Sequence, residues 1–119
     1  MNEKIKKEWK NLIFDGIFAI LTVAIVIIFY RNIFLTTILV GIISIIGLIK
    51  WKSKMALIMF LFGALFGAFA QMISINYGVW SHAYPSFMNV PIWLFLVWGN
   101  AAVFLYQTAL ELKKLGVKK

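Results

Sequence analysis

NLIFDGIFAILTVAIVIIFYRNIFLTTILVGIISIIGLI, residues 11–49, decides the fold. Its apolar residues come in two runs, about 11–30 and 33–49, parted only by Arg31 and Asn32. Crossing a hydrocarbon core of ~30 Å takes roughly 20 helical residues, so each run is long enough to span. A two-residue break forces the second span to run back beside the first, which makes the pair an antiparallel hairpin. Working outward, Lys50 to Lys54 form a basic loop, and a third run covers about 55–75. A polar, aromatic break follows at 76–90, and Pro91, a favourable first-turn helix residue, opens a fourth run to about 110. The expected fold is an all-α membrane protein, a four-transmembrane-helix antiparallel bundle forming a single integral membrane domain over residues 1–119.

Composition supports that reading. The chain has 119 residues, 63% hydrophobic and 13% charged, whereas a soluble domain has about 25% charged residues. Eleven of the twelve basic residues lie in the N-terminal segment, the 50–54 loop and the C-terminal tail, and Arg31 stands alone between them. By the positive-inside rule both termini face the cytoplasm of a cell membrane and the 76–90 loop faces outward. The net charge of +8 lies at the borders of apolar runs, where it meets lipid headgroups, so nucleic acid is not an expected partner. With no cysteine, disulfides and thiol chemistry are excluded. With one histidine, and no acid between Lys54 and Glu111, no metal site and no cofactor is expected.

Residues 1–10 carry Ile5 and Trp9 four apart, the spacing of one interfacial helical turn, although a solvated topology signal explains them as well. Asp15 is the one charge inside the first span. An acid there is a functional candidate by default, but a position ~7.5 Å past Lys10 puts it near the headgroups, where a structural role suffices. Gly41, Ser44 and Gly47 form a smooth strip for packing. Gly63-Ala64 and Gly67-Ala68 make a double small-residue step, the expected close-packing face of the third span. Four and seven residues on, Gln71 and Ser74 continue that face as a polar one.

The uncharged break carries Tyr77, Trp80, His82 and Tyr84, and the next span brings Trp93, Trp98 and Asn100. An aromatic belt at the interface explains Trp9, Tyr30 and Trp51, but Trp98 lies too deep for it. Gln71, Ser74, Tyr77, Trp80, His82, Tyr84, Trp93, Trp98 and Asn100 are therefore the expected ligand-binding set, lining an outward pocket. Interhelical hydrogen bonding is the competing role for Gln71, Ser74 and Asn100. His82 has the ordinary pKa range for acid–base work but no acid within reach, so no catalytic residue is assigned. Asn100 also shares a helical face with Gln107.

The order Gln71, Gly78-Val79-Trp80, Tyr84-Pro85, Val90-Pro91-x-Trp93-Leu94, Trp98-Gly99 resembles polytopic membrane proteins of carotenoid and isoprenoid metabolism over about 30 residues, and also small four-span membrane proteins. Gln71 stands where those enzymes carry an acid, so the resemblance implies a lipid-like ligand more than a reaction. Size and span number also resemble the small multidrug-resistance transporters, with Asp15 placed like their first-span acid, which implies a proton-coupled carrier. The third expectation is an accessory subunit whose Gly63–Gly67 face packs on a partner. Membrane lipids, a second copy of the chain or another membrane protein are the expected partners.

Overall fold

A computed structural model describes residues 3–78 and 91–116. They form four helices: α1 Glu3–Phe29, α2 Ile33–Trp51, α3 Lys54–Asn76 and α4 Trp93–Lys114, with no strand among the described residues. Each is long and apolar enough to cross a membrane. Side chains such as Ile20, Phe34, Leu65 and Phe66 stand more than half exposed on the outside, a surface suited to hydrocarbon.

The turns are fixed locally. Asn32 caps α2, its side chain accepting the Leu35 N–H at 3.0 Å. The Thr36 hydroxyl donates to the Phe29 carbonyl, one of the free acceptors at the end of α1. At the other end of α2, Lys52 takes a left-handed conformation (φ 48°), and Ser53 then caps α3 by accepting from Ala56 N–H at 3.1 Å. Neither connection leaves room for more than a reversal of direction.

α1 differs from the expected span. Its 27 residues measure ~40 Å at the α-helical rise, so it extends well beyond the ~30 Å core and takes in residues 3–10 as its first turns. Helix and apolar run end at different places because hydrocarbon sets the apolarity, whereas only a Gly, Pro or cap ends the helix. α4 likewise continues past residue 110 to Lys114.

α4 is the central element. Asn100 bonds both Thr22 and Ser44, Leu96 faces Gly41, and Trp98 and Ala102 face Gly67 and Gly63. These pairings run α4 antiparallel to α1 and α3 and parallel to α2, an up-down-up-down order. Two apolar clusters fill the interior. Phe18, Ala56, Phe60 and Val103 pack with Phe14, Leu48 and Trp51 toward the end that holds both termini. Trp93 and Leu94 pack with Val26, Tyr30 and Ile33 at the opposite end.

Candidate functional site: a polar seam between α1, α2 and α4

On α1, Glu8, Asp15 and Thr22 follow one another at intervals of seven and all are buried. Seven residues are nearly two turns, so the three stack on one side of the helix at ~10.5 Å intervals. On α4 the buried polar residues are Asn100, Gln107 and Glu111. Because the helices are antiparallel, the two rows form rungs. Three of the four acidic residues of the chain thereby lie inside the bundle.

The rung at mid-bundle is neutral. Ser44 Oγ donates to Asn100 Oδ1 at 2.6 Å, and Asn100 Nδ2 donates to Thr22 Oγ1 at 3.1 Å. Thr22 Oγ1 in turn donates to the Phe18 carbonyl at 2.9 Å. Ser44 Oγ also lies 2.9 Å from the Val40 carbonyl, but a hydroxyl has one proton to give. With that proton on Asn100, a single directed chain of hydrogen bonds ties α2 to α4 and α4 to α1.

The rung nearer the termini is acidic. Asp15 is 1% exposed and Glu111 3%. Their carboxyls stand in position to bond each other. Among the described residues, neither Asp15 oxygen nor Glu111 Oε1 nor Glu8 Oε2 has a hydrogen-bond donor. Two carboxylates have no proton between them, so the Asp15–Glu111 contact becomes a hydrogen bond only when one holds a proton. Gln107 Nε2 reaches Glu111 Oε2 at a long 3.4 Å. The charges of Asp15, Glu8 and Lys50 act on Glu111.

The seam is walled on both sides. Phe14, Phe18 and Trp51 pack with ring centroids 5.0–6.5 Å apart, Trp51 edge-on to Phe14. Gly47 permits this, since a Cβ there would lie 2.9 Å from both Phe18 and Trp51. Past Thr22 the path closes against the Trp93–Leu94 cluster. A cleft of about 120 Å³ beside Thr22 and Asn100 is bounded by Ala19, Val23, Val97, Ala101 and Phe104.

The residues expected to form one pocket are divided. Trp93 is buried in the Leu94 cluster, while Trp98 is 36% exposed and lies over Gly67 on the α3 side. Asn100 is turned the other way, into α1 and α2, two residues (about 200°) around the helix from Trp98. Gln71 and Ser74 are half-buried on α3, and Tyr77, the residue after α3, is exposed. Trp80, His82 and Tyr84 lie outside the described residues. Gly63 and Gly67 stand against α4. Asp15 is not at a wet helix start but inside the bundle, because α1 begins twelve residues before it. Glu8, Thr22, Ser44 and Glu111 are additions to the expected set; the seven-residue interval from Glu8 through Asp15 to Thr22 is a signal for the two on α1, and no comparable spacing marks Ser44 or Glu111.

Comparison with known family models, with curated proteins and with solved structures gives no match.

Proposed function

We propose that the chain is a small proton-handling membrane carrier in which Asp15 and Glu111 hold a shared proton inside the bundle. The observation that supports this is the pair of buried carboxyls placed to bond each other with donors missing on three of their four oxygens. A structural role alone accounts poorly for them. Interhelical hydrogen bonds in membranes contribute only ~0.6 kcal/mol on average, and replacing buried charged groups with apolar ones is often neutral or stabilising. The Ser44–Asn100–Thr22 chain fits a purely structural role; the acid pair does not. Ionisable groups within spans mark proton or ion pathways by default. The basic residues orient the acidic end of the seam toward the cytoplasm, and the Trp93–Leu94 cluster then seals the outward end.

The test is an infrared titration of the protein in lipid nanodiscs. A protonated-carboxyl band near neutral pH that disappears in Asp15→Asn with Glu111→Gln is expected, together with pH-gradient-driven proton flux in liposomes that the same variant abolishes. A band unchanged by that pair of substitutions would overturn the reading.

A second reading retains the lipid-like ligand. Leu65, Phe66, Phe69, Met72 and Phe95 line an open apolar groove of about 270 Å³ between α3 and α4, adjoining the face where Trp98 lies. An acyl or isoprenoid chain fits that lining. Photocrosslinking of a diazirine-bearing fatty acid to Phe69 or Met72, lost in Phe66→Ala, is the expected result; random labelling around the bundle would remove this reading.

A further inference from the structure

The end of the seam that lies toward the termini is bordered by an exposed cation that the chain itself supplies. Lys50, in the last turn of α2, donates from Nζ to Asn11 Oδ1 at 3.1 Å and stands 4.9 Å over the Phe14 ring. Its charge also acts on Glu111. Asn11, Phe14 and Asp15 are three and four residues apart, so they share one face of α1. An acceptor oxygen, an aromatic face and a carboxylate field therefore converge on one ammonium group. Those are the three elements that recognise an alkylammonium: a charge-assisted hydrogen bond, a cation–π contact and a counter-charge. The chain carries its own guest, because the lysine side chain is a butylammonium tethered to α2. The other ionisable groups bearing on Glu111 are Asp15 and Glu8 on α1, both acidic residues and both buried.

We propose that the mouth of the seam is an ammonium-binding site, filled in this structure by Lys50, and that a free primary alkylammonium takes the same place when Lys50 leaves it. The proposal rests on the shared-proton reading of Asp15 and Glu111 and adds the chemical class of the cation that guards them. While the ammonium is seated, the carboxyl proton is shielded from water; when it leaves, the proton exchanges. A divalent metal is a poor candidate for the same place, since no three acidic or histidine groups converge to hold one among the described residues.

The test is the rate at which the carboxyl band shifts when nanodisc-embedded protein is transferred to D₂O. Lys50→Met should exchange about tenfold faster than the unaltered protein, the ratio that follows from loss of one hydrogen bond to a charged group. Lys50→Arg should exchange at the unaltered rate. Adding methylammonium to Lys50→Met should slow exchange again, while sodium chloride at equal ionic strength should not. Asn11→Leu, which keeps the charge and removes the acceptor, should also exchange faster and serves if Lys50→Met does not fold. Equal rates in the unaltered protein and whichever of these two variants folds overturn the proposal, and so does sodium slowing Lys50→Met as well as methylammonium does. In both of those cases the shared proton survives, whereas absence of any band tied to Asp15 and Glu111 overturns the shared proton and the ammonium site together.

Discussion

The two faces of α4 solve the same packing problem in opposite ways. Toward α3 the contact is close and made by small residues: a Cβ on Gly63 would lie 2.6 Å from the Trp98 backbone oxygen, and one on Gly99 would lie 2.6 Å from the Phe60 ring. Toward α1 and α2 the contact is polar, with Asn100 meeting Ser44 and Thr22, and Glu111 meeting Asp15. In lipid there is no hydrophobic drive between helices, so close approach and hydrogen bonding are the two available sources of cohesion. A carboxyl pair belongs to neither without a proton, because its contact becomes a hydrogen bond only when one carboxyl is protonated. The contrast separates what holds the bundle together from what the bundle holds.

The contrast is broken most severely at Gly63. Leucine there must displace backbone as well as side chain, because Ala102 and the Trp98 carbonyl both stand in the way. Overpacking of this kind costs about 3 kcal/mol, and separation of α3 from α4 is the expected result. Gly67→Leu meets Trp98 Cγ and Cδ2, and Trp98 Cβ at 2.7 Å; the ring can turn outward because Trp98 is partly exposed, but Cβ moves only with the backbone, so the substitution should cost somewhat less than Gly63→Leu. Reversible unfolding in mixed micelles measures both, and equal losses would mean that Trp98 is held as firmly as the backbone.

The acidic side should respond with the opposite sign. Asp15→Leu with Glu111→Leu removes buried carboxyls and fills their space with apolar atoms, a change that stabilises by about 2 kcal/mol in comparable cases. A higher unfolding midpoint together with lost proton flux is expected. A lower midpoint would place the pair among the groups that hold the bundle.

Much of this architecture is legible in the sequence. The Arg31-Asn32 break fixes the α1–α2 hairpin, and the Gly63–Gly67 step identifies a face of α3 that can approach a neighbour closely. What is not legible is which polar residues meet. Glu111 sits in a tail, ELKK, whose lysines make it look solvated, and Glu8 sits in a charged segment that ends before the apolar run begins. Both enter the interior only because α1 and α4 overrun the apolar window and lie antiparallel in one register. Asn100 illustrates the same point: mid-span depth is visible from its position, but its direction around α4 depends on which neighbour takes each face. The expected pocket placed it with Trp98, and helical geometry sends the two to different partners.

The neutral rung should be affected least, and its small effects carry a direction. Asn100→Leu should cost about 1 kcal/mol, because Thr22 keeps its bond to the Phe18 carbonyl and Ser44 can return its proton to Val40. Ser44→Ala removes the only donor to Asn100 Oδ1 among the described residues and should cost ~0.6 kcal/mol. The two losses should not add. Once Asn100 is leucine, Ser44 has no partner on α4, so Ser44→Ala in that background should cost nothing measurable. A double-mutant cycle therefore returns a coupling of ~0.6 kcal/mol, almost the whole effect of the serine. Additive losses would mean that the Ser44 proton stays on the Val40 carbonyl. Then Asn100 would be held by Thr22 alone, and α2 would join the bundle through the Leu96–Gly41 contact and the Phe18–Trp51 packing, without a hydrogen bond to α4.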